Sequence, residues 1–420
     1  MNSCCSASFP TTIHRSKIVS DPMQHYRVLF VASHPVQYQA PLFRRLAARP
    51  EIDIHVAYCG LQGAEAAHDP EFETTVKWDV PVLSGYPWSH IANKGSGRLS
   101  FLGLYNPGLW KFIRTGNYDA VISFVGYVRA TFWIAYFAAK KSKAAFLFGT
   151  DATTLASRNG RTWKRTLKKF LWPRLFRLAD QIIVPSTGSQ NLMHSLGLPR
   201  DRITLTPYTV DNDWWIEQSQ RIDRSAVRAS WGAAEENTVV LFCAKLQPWK
   251  RPFDLLRAFA KARLLNAVLV FAGGGPLQEQ LASEARALHV DSQVRFLGFV
   301  NQSNLPAVYR SSDVMVLPSE YEPFAVVVNE AMCCGCPVIA SDQVGSARDL
   351  VAPIQSRFIY PCGNIEALAD LLRTVADDRP TLASVGRACF AHIRTWSPEK
   401  NIAATIAAVD IAVGRVRRRQ

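Results

Sequence analysis

Apolar residues along this chain fall in short blocks, bounded by turn residues and separated by amphipathic stretches. RVLFVAS (27–33), IDIHVAY (52–58), DAVISFV (119–125), AAFLFG (144–149) and QIIVPS (181–186) have no consistent polar face, so each predicts a strand buried on both sides. PLFRRLAAR (41–49), between the first two, has helical spacing. After the turn-rich PYTVDND (207–213) a second series begins: TVVLFCAK (238–245), AVLVFAG (267–273), QVRFLG (293–298), DVMVLPS (313–319) and PVIAS (337–341). Helical stretches such as PFDLLRAFAKARLL and PLQEQLASEARAL separate these strands. Two runs of alternating strand and helix predict an α/β protein with two doubly wound parallel sheets. Ligands of such sheets bind beyond the carboxyl ends of the strands, here in the cleft between domains. The predicted division is an extension (1–25), an N-terminal domain (26–208), a C-terminal domain (209–393), and a helix with a basic tail (394–420) that crosses back to the first domain.

The longest apolar region, VISFVGYVRATFWIAYFAA (121–139), is broken by Gly126 and Arg129. It is too interrupted to span a bilayer and reads as strand, turn and helix. The chain has 420 residues, of which 48% are hydrophobic and 20% charged, which suits a globular protein of two domains. The net charge of +14 is lopsided: residues 1–210 carry 25 Lys and Arg against 12 Asp and Glu, the remainder 23 against 22. The N-terminal half therefore predicts an anionic partner. Nine irregularly spaced cysteines predict a reducing cytosol without a disulfide framework. The first 25 residues contain no continuous apolar segment of the secretory kind, and Met23 is an alternative start.

Three stretches carry candidate chemistry. AKLQPWKRP (244–252) sets Lys245 at a strand end and Lys250 in the following loop, either as solvated lysines or as cations flanking a diphosphate. AGGGPLQEQL (272–281) is a tight strand-to-helix turn or a close backbone approach to a phosphate, with Gly274 at its centre. EPFAVVVNEAMCCGCPVIASD (322–342) places Glu322 at a predicted helix start, beside the amides of Phe324, Ala325 and Val326. Glu330 follows two turns later, and Gly335 ends the helix. A carboxylate can accept hydrogen bonds from two adjacent hydroxyls, as a ribose presents them. The plainer reading is one capping and one surface glutamate.

Taken in order, these motifs resemble the family-4 retaining glycosyltransferases of GT-B fold. The resemblance rests on E-x7-E, on AKLQPWKRPFDLLRAF, AGGGPL, VRFLGFV and DVMVLPS before it, and on VGSARDLV and FIYPCGNIEALADLL after it. It is strong over residues 236–375. It is weaker from 26 to 235, where HPVQYQAPLFRRLA is similar to bacterial members that build surface polysaccharides. The resemblance implies two Rossmann-like domains and a nucleoside-diphosphate-sugar as co-substrate, with no cofactor and no metal. The acceptor it implies is a saccharide or lipid-linked. Lys245, Lys250 and Glu322 would form the catalytic group. Glu330, Phe324, Ala325, Val326, Gly274, Gly298 and Phe299 would bind the donor, and His34, Gln37 and Asp151 are acceptor-side candidates. Ala325 and Ala244 stand where the family usually has glycine. A nucleotide-sugar epimerase of the same architecture and an inactive binding scaffold are the alternatives.

Two further features bear on partners. Asp211-Asn212-Asp213 has the form of a metal-binding DxD, but its place before Trp214 predicts a helix cap. Cys333, Cys334 and Cys336 lack a second ligand pair and predict packing. RNGRTWKRTLKKFLWPRLFR (158–177) has eight basic residues and no acid, with Trp163, Leu167, Phe170, Leu171 and Phe176 near helical period and Pro173 as an expected interruption. It is either a core-packed helix with a basic face or an interfacial helix. In the second case it rests on anionic lipid through Arg158, Arg161, Lys164, Arg165, Lys168 and Lys169, with help from the RVRRR tail (415–419). No recognition motif for nucleic acid accompanies the charge. The expected location is the cytoplasm, peripheral to the membrane.

Overall fold

The computed structural model describes residues 25–69, 72–156 and 162–420. Residues 1–24 of the expected extension, together with Arg158 and Arg161, lie outside them. The first half contributes β1 (Tyr26–Ala32), β2 (Ile52–Tyr58), a hairpin of β3 (Ala67–Asp69) and β4 (Thr74–Val76), then β5 (Trp88–His90), β6 (Ala120–Ser123), β7 (Ala145–Gly149), β8 (Gln181–Val184) and β9 (Ile203–Leu205). All but the hairpin join one parallel sheet in the order β5-β2-β1-β6-β7-β8-β9. The second half contributes β10 (Thr238–Cys243), β11 (Ala267–Ala272), β12 (Val294–Gly298), β13 (Val314–Leu317), β14 (Val338–Ser341) and β15 (Ile359–Tyr360). These form a second parallel sheet, β12-β11-β10-β13-β14-β15. The chain is thus α/β, with two Rossmann-like sheets.

The central strands are buried on both faces, as continuous apolar runs require. Val28 pairs with Ile54 on one side and Ala120 on the other, and all three are buried. Strands stop where proline removes a ladder donor: β8 ends at Val184 before Pro185, and β13 at Leu317 before Pro318.

The C-terminal helix Pro398–Arg417 returns to the N-terminal domain. Ala408, Val409, Ala412 and Val413 recur at helical spacing and are buried in the core shared with β1, β2 and β7. Fully burying one valine contributes roughly 1.5–3 kcal/mol. Arg415 pairs with Asp201 at 2.6 Å and Arg419 with Asp180 at 3.1 Å, so these two tail arginines are tied to the domain.

The basic segment forms the helix Thr162–Phe176, which runs through Pro173 instead of breaking there. The helix ends three residues beyond this proline, so only its last turn lacks a donor. Trp172 and Phe176 anchor it in the core, while Trp163, Leu167, Phe170 and Leu171 are exposed. Four of the five residues of the predicted apolar stripe thus face solvent. Among the described residues no helix is long and apolar enough to cross a membrane.

Candidate functional site

In both sheets the strand order reverses beside the first strand of the half, β1 next to β6 and β10 next to β13. Chain segments leaving these carboxyl ends diverge and leave a crevice. β10 leads into the loop with Lys245 and Lys250; β13 leads into the loop with Glu322, followed by the helix Val326–Cys333. A cleft of about 410 Å³ results, lined by Gln37, Phe72, Lys245, Lys250, Glu322 and Glu330, among others. A larger hollow of about 670 Å³ lies at the far end of this helix, around Gly335, Arg310 and Arg387, and contains none of the predicted site residues.

Glu322 is ion-paired with Lys250, and both side chains are largely shielded from solvent. The Glu322 carbonyl accepts from the Gly345 amide at 2.8 Å. Gly345 is needed there, because a β-carbon would lie 1.9 Å from the Pro323 carbonyl. Two residues on, Ala325 turns into the helix at φ 79° and ψ 78°, a left-handed conformation that glycine adopts without strain. The departure noted in the sequence is therefore first a backbone effect: the methyl strains the turn that aims the helix start at the cleft. Ala325, Val326 and Val327 line the cleft, while Phe324 is buried behind them and packs edge-on against Tyr208.

Glu330 is only 4% exposed and accepts a 2.8 Å hydrogen bond from Tyr309 Oη. Burial pushes its carboxyl up to about 7, against the opposing pull of the Tyr309 phenol. The same phenol lies 3.2 Å from Cys243 Sγ. Tyr309 sits on a separate helix, Leu305–Ser311, and no motif in the sequence marks it.

Lys245 reaches toward the other domain. It pairs with Asp69 at 3.0 Å and lies 4.5 Å over the ring of Phe72. The three-glycine turn is used for close packing. Gly273 has φ 143°, and a β-carbon there would lie 2.0 Å from the Ala244 carbonyl. Gly274 faces the Phe72 carbonyl, while its own carbonyl accepts from Leu246 N at 2.8 Å. Gly298 ends β12 at φ 66°, and Phe299 packs on Phe72 at 4.9 Å and on Trp78 at 6.3 Å.

On the N-terminal side, Gln37 lines the cleft and His34 is exposed, 2.9 Å from Ser33 Oγ. Asp151 is exposed on its surface but crowded by surrounding protein, and this desolvation raises its pKa; its own backbone hydrogen bond opposes the rise and the Glu322 charge adds to it. The DxD differs from expectation. Asp211 occupies the cap position without a side-chain cap bond. Instead Arg45 binds Asp211 and Asp213, each at 2.8 Å, and Glu399, tying both domains to the last helix. Cys333, Cys334 and Cys336 are buried, and burial holds their thiols well above the usual range.

The "Glycosyl transferases group 1" family matches residues 223–390, and the "Glycosyl transferase 4-like domain" matches residues 35–209. The chain belongs to the group 1 glycosyltransferases, and its architecture is GT-B. The D-inositol 3-phosphate glycosyltransferase of Mycolicibacterium smegmatis is 33% identical over 248 residues, which is 57% of this chain and 55% of that protein. An uncharacterized glycosyltransferase of Methanocaldococcus jannaschii is 32% identical over 182 residues, 43% of this chain and 46% of its own length. The chain thus spans about half the length of the curated relatives it matches. Among solved structures, Anabaena HepE in complex with UDP-glucose superposes with a TM-score of 0.68 at 20% identity, covering 91% of this chain and all of that one (100%). WaaG, a glycosyltransferase involved in lipopolysaccharide biosynthesis, gives 0.64 at 16% identity, covering 90% of this chain and 99% of that one.

Proposed function

We propose that this chain is a retaining glycosyltransferase that moves a hexose-type sugar from a nucleoside diphosphate to a saccharide or lipid-linked acceptor in cell-surface polysaccharide or glycolipid synthesis. The observation that carries this is the gathering of Lys245, Lys250, Glu322 and Glu330 around one cleft at the carboxyl ends of parallel strands. In this reading the two ammonium groups neutralise the departing diphosphate, with no metal or other cofactor required. Glu330 accepts the ribose hydroxyls and Glu322 those of the transferred sugar. Catalysis rests on positioning and charge stabilisation. Asp151, whose carboxyl is raised in part by the Glu322 charge, is the candidate carboxylate on the acceptor side.

The N-terminal domain would rest on anionic membrane through the helix Thr162–Phe176, where exposed apolar residues alternate with Lys164, Arg165, Lys168 and Lys169. The relatives named D-inositol 3-phosphate glycosyltransferases make an anionic acceptor the first to try.

A thermal-shift screen against UDP-, GDP- and ADP-sugars tests the donor reading. A ligand at a hundred times its dissociation constant adds about 2.7 kcal/mol of stability. No shift with any of the three would overturn it. The anomeric configuration of the product, read by NMR, tests retention. Conversion of the donor with no acceptor present would favour an epimerase instead.

A further inference from the structure

The N-terminal hairpin β3–β4 forms a two-stranded sheet apart from the seven-stranded one, and Phe72, between its strands, lines the cleft. Contacts with Asn301, Ser303 and Gly274 fasten it and the segment after it to the C-terminal domain. Asn301 Nδ2 donates to the Lys77 carbonyl at 2.8 Å, and the Asp79 amide donates to Asn301 Oδ1 at 3.4 Å. The Ser303 amide donates to Asp79 Oδ1 at 3.1 Å, and the Phe72 carbonyl sits so close to Gly274 that a β-carbon there would lie 3.1 Å away. Held this way, the hairpin presents two groups to the donor residues. Asp69 pairs with Lys245, and Phe72 lies edge-on against Phe299 at 4.9 Å with the Lys245 ammonium over its ring.

We propose that this hairpin is part of the donor site: Asp69 occupies Lys245 in place of a phosphate until a nucleoside diphosphate displaces it, and Phe72 closes over the nucleobase beside Phe299. This rests on the donor reading given above. Lys245 and Asp69 are each partly exposed, at 27% and 29% of their side chains, so their attraction is screened and exchangeable. A diphosphate offers more charge and more acceptor oxygens than one carboxylate, so exchange runs toward the ligand. An aromatic ring stacks on any base, so Phe72 adds affinity whichever nucleotide is used. Asp69 and Phe72 thus act at opposite ends of one ligand, the first against binding and the second for it.

The test is calorimetric titration of the full chain with UDP, GDP, ADP and inorganic pyrophosphate. Asp69→Asn keeps the shape of the side chain and removes its charge. It should tighten every one of these ligands that the wild type binds by about two- to fivefold, the range of a partly exposed ion pair. Phe72→Ala should weaken the bound nucleotides by at least about fivefold and leave pyrophosphate within about twofold, since only the nucleotides carry a base. Phe72→Leu, which keeps the hairpin packed, should act in the same direction. Unchanged or weaker binding in Asp69→Asn overturns the role of the carboxylate. Equal loss of pyrophosphate and nucleotide in both Phe72 variants reduces the hairpin to packing. If the wild type binds no nucleotide, the donor reading itself falls, and this proposal with it.

Discussion

The Tyr309 phenol donates a 2.8 Å hydrogen bond to Glu330 Oε2, and both side chains are buried between the second sheet and the cleft. Burial raises the Glu330 carboxyl from its ordinary 4.5 to about 7, and the phenol limits the rise. A carboxyl whose pKa is raised on folding favours the folded state while protonated. Its contribution is complete below about pH 4.5 and is lost as pH climbs to about 7. Glu330→Gln removes this dependence. Between about pH 4 and pH 8 the variant should gain on the order of 3 kcal/mol relative to wild type. Urea unfolding of both proteins at the two pH values measures this; a constant difference would show that the carboxyl is not raised.

Lys250 is paired with Glu322 at the point where the resemblance sets the diphosphate. Removing one preorganised donor to a developing anion costs about 2.7–4 kcal/mol. Lys250→Ala should therefore cut turnover at least about a hundredfold while the melting curve stays cooperative. Steady-state rates with the donor identified by thermal shift decide this, and near-normal turnover would remove Lys250 from the reaction.

Ala325 has φ 79°, where an L side chain is strained by roughly 1–2 kcal/mol. Glycine relieves that strain but loses about 0.5–1 kcal/mol of chain entropy on folding. Ala325→Gly should be more stable by about 0.5–1 kcal/mol in chemical denaturation. A destabilised variant would mean that the methyl group packs usefully at this turn.

Trp163 and Phe170 are 58% and 62% exposed on a helix that also carries Lys164, Arg165, Lys168 and Lys169. The protein should sediment with anionic vesicles at low salt and be released at high salt, each basic residue adding about 1 kcal/mol near the surface. Trp163→Ala with Phe170→Ala should lower binding without changing its salt dependence, because the apolar part of the attraction is not screened. Equal binding to neutral vesicles would exclude the electrostatic part of this reading.

Most strands were legible because a parallel sheet covered on both faces needs uninterrupted apolar runs, and IDIHVAY and AVLVFAG match observed strands to within a residue. The short hairpin β3–β4 and the three-residue β5 were not legible. AHD and TTV have too few apolar residues to show a period; they pair with each other, β5 pairs with β2, and Asp69 is held by Lys245 from the other domain. The DxD showed the same limit. Its spacing suited a helix cap, but the Arg45 guanidinium arrives from a helix more than 160 residues earlier and captures both carboxylates.

By itself the sequence determined the two-sheet architecture, the family, and which lysines and glutamates stand at strand ends and helix starts. These properties depend on local spacing and on residue order. Tertiary structure alone decided the state of those groups. It buried Glu330 against Tyr309, paired Lys250 with Glu322 and brought Asp69 from the other domain onto Lys245. Desolvation and ion pairing depend on distances through space between residues far apart in the chain, and no local pattern encodes them.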